Sequence, residues 1–169
     1  MDTEAALFRR FDELGIVTRT HRHPPVFTVE EARRHVGHLP GGHNKSLFVG
    51  DKKGALWLVV CGDEQRVDLK TLSKRLGAAS RLSFGKAELL QEILGVEPGS
   101  VTPFALINDR EGRVQPVLDR TMLAQAELNF HPLRNDATTT IASADLIRFV
   151  ESCGHRPLIL DLAADEVAA

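Results

Sequence analysis

Two apolar runs, Lys45–Val49 and Ala55–Cys61, flank the turn-rich link Gly50-Asp-Lys-Lys-Gly54. No other feature constrains the fold so tightly. Strand-length apolar runs joined by a short Gly/Asp link predict a β-hairpin. A second pair, Phe104–Asn108 and Arg113–Leu118 around Asp109-Arg-Glu-Gly112, has the same form and predicts a second hairpin. Helical patterns surround them. Leu7, Phe8, Phe11 and Leu14 share one face of a helix over residues 3–14, which Gly15 stops. Thr28-Val-Glu-Glu31 is a capping box and predicts a short helix ending near Gly37. Asp68 caps a helix ending near Leu76-Gly77, Lys86–Leu94 forms another, and Ser143 caps the last, through Glu151. Shorter strands are expected over Ile16–Arg22, Arg81–Phe84, Glu127–His131, Thr138–Ile141 and Pro157–Asp161, with the acidic tail fraying. Two hairpins without a regular β-α-β-α alternation argue for an α+β fold.

A chain of 169 residues suits one domain with a sizeable core, expected here over residues 1–169. No run approaches the ~20 apolar residues that span a bilayer. The acidic start, Met1-Asp-Thr-Glu, lacks the order of a signal peptide, so no membrane role and a cytoplasmic location are expected. Two cysteines make no disulfide framework. Cys61 ends an apolar run and is expected as a buried, inert thiol. The net charge of −2 excludes a chain coated in basic residues, but one window differs. Between Asp68 and Lys86, the cations Lys70, Lys74, Arg75, Arg81 and Lys86 meet one anion. Lys70 and Lys74 share a helix face, either as solvated charges or, with Arg75, as phosphate contacts.

Three segments carry candidate chemistry. Lys45 leaves the loop Gly41-Gly42-His43-Asn44 and precedes Ser46-Leu47-Phe48-Val49. It is either an edge charge or an ammonium that holds a phosphate or polarises an ester carbonyl. In Gly99-Ser100-Val101-Thr102-Pro103, glycine allows close backbone approach and proline stiffens the exit. The amides of Ser100, Val101 and Thr102 then face a developing oxyanion, unless this is an ordinary loop. His131, in Asn129-Phe-His-Pro, is either structural or a proton shuttle. His35, His38 and His43 lack the further ligands a metal site needs, so no metal and no cofactor are expected. Ser46 and Lys45 point to opposite faces of a strand and form no dyad. With no Gly-x-Ser-x-Gly elbow, direct attack by water is favoured.

The segments Gly41–Val49, Gly95–Phe104 and Asn129–Ile141, with Val117-Leu118-Asp119, occur in an order that resembles the free-standing prolyl-tRNA editing deacylases of the YbaK/ProX family. The resemblance runs from about residue 5 to about residue 162. It implies a mixed, mainly antiparallel, barrel-like sheet with surrounding helices. It implies that Lys45 is catalytic and that Gly99–Pro103 is the family's GxxxP motif beside the reacting ester. Asn44, Ser46, Leu47, Phe104, Asn129 and His131 are then substrate-binding candidates, with Leu47, Val49 and Phe104 around a small apolar pocket. The implied partner is mischarged tRNA for proline, carrying alanine, with prolyl-tRNA synthetase as a further possible partner. A cysteine-clearing deacylase of the same fold and a non-catalytic tRNA-binding module are the alternatives.

Overall fold

The first hairpin forms where its turn chemistry places it. The computed structural model describes residues 1–163. Its elements are α1 (Glu4–Leu14), β1 (Arg19–Arg22), α2 (Val29–Val36), β2 (Gly42–Gly50), β3 (Leu56–Gly62), α3 (Leu69–Arg75), β4 (Ser83–Phe84) and α4 (Ala87–Leu94). Two 3-10 segments, Pro98–Ser100 and Pro103–Asn108, follow. Then come β5 (Val114–Asp119), α5 (Arg120–Leu123), β6 (Glu127–Phe130), β7 (Ala137–Ala142), α6 (Ser143–Ser152) and β8 (Leu158–Leu160). The fraying expected of the acidic tail falls, from residue 164 onward, outside the described residues.

The strands build one mixed sheet in the order β1-β7-β6-β2-β3-β5-β8, with β4 added to β2. β2 is the hub. It pairs antiparallel with β3 over most of its length, from Asn44↔Gly62 to Gly50↔Leu56. Its first residues pair parallel with β6, through Gly42↔Leu128 and His43↔Asn129. Period-two alternation sends Ser46 and Phe48 to one face and Lys45, Leu47 and Val49 to the other. The two faces carry separate cores. Phe48, Leu58, Val60 and Leu118 join the larger cluster, packed under α1, α4 and α6. Val49, Trp57, Val59, Cys61 and Val117 join the smaller one, with Leu72 of α3.

Local signals hold at most helix ends. Gly15 and Gly95 close α1 and α4 in the left-handed conformation, at φ 68° and 67°. The Thr28 hydroxyl accepts from the Glu31 amide at the start of α2, and the Asp68 carboxylate accepts from the Lys70 amide at the start of α3. Ser143 departs from the expectation. It is the first residue of α6 and donates its hydroxyl proton to the Gln125 carbonyl, so it caps nothing.

The second hairpin does not form. Residues 103–108 wind into a 3-10 segment whose every residue is buried. Pro103 removes one ladder donor, and the Thr102 hydroxyl accepts from the Phe104 amide at 3.3 Å, which starts a helical turn. Asp109 then closes the connection by accepting from the amides of Arg113 and Val114. Released from that partner, β5 lies parallel to β3 and to β8.

Candidate active site

Gly41 fixes where β2 begins. Its φ is +95°, and a Cβ there would lie 2.7 Å from the Glu127 carbonyl oxygen, so only glycine lets the loop pass β6 this closely. The buried Asn129 of β6 then clamps the loop. Its amide donates to the Pro40 and Gly42 carbonyls, both at 3.0 Å, and its Oδ1 accepts from the Thr140 hydroxyl at 2.6 Å. The Asn44 amide donates to the Gly42 and Asn129 carbonyls. His43 is bonded to the Leu39 carbonyl at 3.1 Å.

This clamped strand start is one wall of a small cavity, about 60 Å³ in volume. Val29, Ala32 and Val36 of α2 close it on one side, with Val101 and Phe130 adding apolar surface. Its polar wall comes from Asn44, Ser46, Asn129, His131 and Thr138. A cavity this size is far below the ~300–1,000 Å³ of a drug-sized pocket, so it has room for a small side chain and not for a nucleoside. A larger groove of about 440 Å³ adjoins it, past Gly41, Gly62, Glu64 and Gln125. Arg33, His43, Asn44 and Asp63 line both spaces. Arg33 crosses from α2 to hold Asp63 by a two-pronged bond, at 2.6 and 2.5 Å.

His131 has a defined tautomer. A carbonyl only accepts, so the 3.0 Å bond to Ala137 places the proton on Nδ1 and leaves Nε2 as an acceptor. Burial lowers its pKa, opposed by the Ala137 bond, while neighbouring His23 adds a further lowering. The ring is therefore neutral near pH 7. Cys61 is fully buried, and desolvation pushes its thiol up to about 12 despite the nearby Lys45 ammonium. A thiol so held supplies no nucleophile at neutral pH. Cys153 is raised for the same reason. Among the described residues, no three His, Cys, Asp or Glu side chains converge as a metal site. His35 instead stacks against His23, ring centres 6.3 Å apart, and His38 lies edge-on to His21 at 5.8 Å.

Several residues expected at the site do not line this cavity. Lys45 pairs in register with Cys61, on the sheet face opposite Asn44 and Ser46, and does not line the cavity. Leu47 and Val49 share that opposite face and pack into the smaller core. Phe104 is fully buried in the larger core, ring centres 5.2 Å from Phe11 and 5.6 Å from Phe130. The Ser100 amide is spent: it donates to the Glu97 carbonyl at 2.8 Å and closes the first 3-10 turn. The Thr102 side chain is buried and caps the next turn, leaving Val101 as the loop's residue on the cavity wall. Gly99 lies under Phe27, whose ring a Cβ would approach at 3.2 Å. Lys70, Lys74 and Arg75 are exposed on α3, which packs on the smaller core across the sheet from the cavity. Arg75 also donates to the Asp161 carbonyl.

The chain carries a match to the family model of the aminoacyl-tRNA editing domain over residues 23–149. The chain belongs to the aminoacyl-tRNA editing domain family. Every residue that lines the cavity falls inside the matched span of this editing domain. The domain is 40% identical over 164 residues to the bovine (Bos taurus) prolyl-tRNA synthetase associated domain-containing protein 1, covering 95% of each chain. It is 34% identical over 160 residues to the prolyl-tRNA editing protein ProX of Acetoanaerobium sticklandii, covering 92% of this chain and 94% of that one. A crystal structure described as a candidate trans-editing enzyme for prolyl tRNA synthetase shares the fold, with a TM-score of 0.71 at 21% identity over 95% of this chain and 97% of that chain. No helix among the described residues is long and apolar enough to cross a membrane.

Arg33, Asp63 and the α2 wall were not legible as site residues in the sequence. The capping box at Thr28 marks α2, but no local pattern says that this helix covers the start of β2.

Proposed function

We propose that the protein is a trans-acting deacylase that hydrolyses the ester of alanine mischarged onto tRNA for proline. The observation that carries this reading is the junction of a 60 Å³ cavity with a 440 Å³ groove, inside an editing domain. The amino-acid side chain enters the cavity, the terminal nucleotide lies in the groove, and the ester sits between them. Similarity to ProX across nearly the whole chain supports proline tRNA as the carrier.

In this scheme water adds to the ester carbonyl carbon, and the ribose oxygen leaves with a proton, releasing alanine and tRNA. The vicinal ribose hydroxyl of the substrate assists, in place of a side-chain base. The Val101 amide supports the developing oxyanion, since the Ser100 amide is already bonded. The Nε2 lone pair of His131 accepts a hydrogen bond from the α-ammonium or from the water. Lys45, on the other face of the same strand, acts by holding a phosphate of the 3′ end. Whole-chain action as one editing domain and association with prolyl-tRNA synthetase are parts of the same proposal.

The test is single-turnover release of amino acid from alanyl-, cysteinyl-, seryl- and prolyl-tRNA for proline. Rapid release of alanine supports the reading. Binding without release would make the protein a tRNA-binding module, and a preference for cysteine would move it to the cysteine-clearing branch. Lys45→Ala should lower kcat/KM on the order of 10- to 100-fold, the worth of one charge-assisted hydrogen bond.

A further inference from the structure

We infer that Arg33 is a phosphate-binding residue at the mouth of the cavity, held by Asp63 in the free protein and released to the terminal phosphodiester of tRNA. This rests on the proposed function, because the phosphate belongs to the substrate named there.

Position comes first. Of the four residues shared by the cavity and the groove, His43 is bonded to the Leu39 carbonyl, and the Asn44 amide to two backbone carbonyls. Arg33 and Asp63 are the charged pair at the junction. Arg33 is the one lysine or arginine among the residues that line the groove; of the carboxylates there, Asp63 and Glu64 lie against its guanidinium and Asp119 accepts from the Met122 and Leu162 amides. An amino acid seated in the cavity leaves its ribose at this junction. The phosphate that follows the ribose then enters the groove beside the guanidinium.

Chemistry comes second. Nε and Nη2 of Arg33 donate in parallel to the two oxygens of Asp63, and Nη2 reaches Glu64 at 3.4 Å. This fork fits two oxygens of a phosphate as it fits those of a carboxylate. The pair is also asymmetric. The Asp63 side chain is 7% exposed and that of Arg33 is 42% exposed. The carboxylate is the fixed member, tied to β2 through its amide bond to the His43 carbonyl. The guanidinium is the member that a ligand reaches. Asp63 thus acts as an internal competitor for the guanidinium, one that the tRNA phosphate has to displace.

The experiment measures binding of uncharged tRNA for proline over a series of salt concentrations, for wild type, Arg33→Ala, Arg33→Lys and Asp63→Asn. Arg33→Ala should weaken binding roughly 3- to 5-fold, the size of a partly exposed charge pair, and reduce the salt slope by about one. Arg33→Lys should keep the slope and lose part of the affinity, because the charge stays and the fork goes. Asp63→Asn should tighten binding roughly 3- to 5-fold, because the competitor is gone. A pair that serves only to latch α2 predicts that both single losses weaken binding, or that neither changes it; either result overturns the inference. If Arg33→Ala does not fold, Asp63→Asn and Arg33→Lys decide the question by the same signs. Deacylation by the wild type is scored separately, so a failure of the proposed reaction is distinguishable from a failure at Arg33.

Discussion

Asn129 spends both ends of its side-chain amide on the protein itself. With its nitrogen on two loop carbonyls and its oxygen under the Thr140 hydroxyl, it is a clamp that places the start of β2. Asn129→Ala strands these buried groups, at a cost of about 2–3 kcal/mol. That is roughly 5–10 °C in Tm for a chain of this size. Thermal unfolding checks it, and a shift under about 2 °C would return Asn129 to a marginal role. His131 carries a different expectation. In the unfolded chain its imidazole takes a proton in the ordinary range near 6.5, while burial lowers the value in the folded protein. Between those two values the unfolded state binds more protons, so stability falls as pH drops through that window and is level above it. Urea midpoints at mildly acid and at neutral pH should show a smaller acid loss in His131→Gln than in wild type. Equal losses would mean that the ring titrates alike in both states. The sequence marked both residues as site candidates. It could not separate clamp from ligand, because that depends on which carbonyls a distant loop brings within reach.

At the scale of elements, the hairpin of β2 and β3 was legible because its evidence is local: two apolar runs and a turn between them. The parallel pairing of β3 with β5 was not, because nothing near Val114 records a partner in β3, more than fifty residues back along the chain. The second hairpin failed for a related reason. Residues 103–108 carry strand-like side chains, yet Pro103 and the Thr102 cap start a turn, and full burial suits a helix as well as a strand. Strand alternation was legible, and it parts Ser46 from Lys45. Carried through, the same rule separates Lys45 and Leu47 from the cavity and leaves Asn44 and Ser46 on it. α3 gives this a measurable consequence. Its exposed Lys70 and Lys74 stand across the sheet from the cavity, so under the proposed function their charges would bear on tRNA capture and not on the reaction. A Lys70→Ala, Lys74→Ala variant should bind tRNA more weakly, with a salt slope lower by about two. Its single-turnover rate at saturating tRNA should match wild type. An unaltered slope would make the face a solvated one.

Taken whole, the molecule sets one sheet between two cores and leaves a small gap where β2, α2 and the Val101 loop meet. Under the proposed function, the gap decides by size. Filling a pocket discriminates weakly, since one methylene is worth only ~1–3 kcal/mol. Excluding excess volume discriminates more strongly, because close-packed walls resist added atoms. The walls here are of that kind: Phe130 and Val36 are buried members of the packed interior, and Val101 packs against the larger core. Alanine on tRNA for proline should therefore be released readily, serine less so, and proline barely. Val101→Ala removes wall volume without touching the backbone amides or His131. It should raise the rate of proline release by about tenfold or more while lowering alanine release only a few-fold, as single-turnover assays on both esters would measure. A methyl group cannot identify its tRNA, so alanine on its own tRNA is spared only if the acceptor end or a partner rejects it. Proline released by the wild type as fast as alanine would contradict the size filter. So would a Val101→Ala variant whose ratio of proline to alanine release stays at the wild-type value, because a wall that can be thinned without effect is not the wall that excludes.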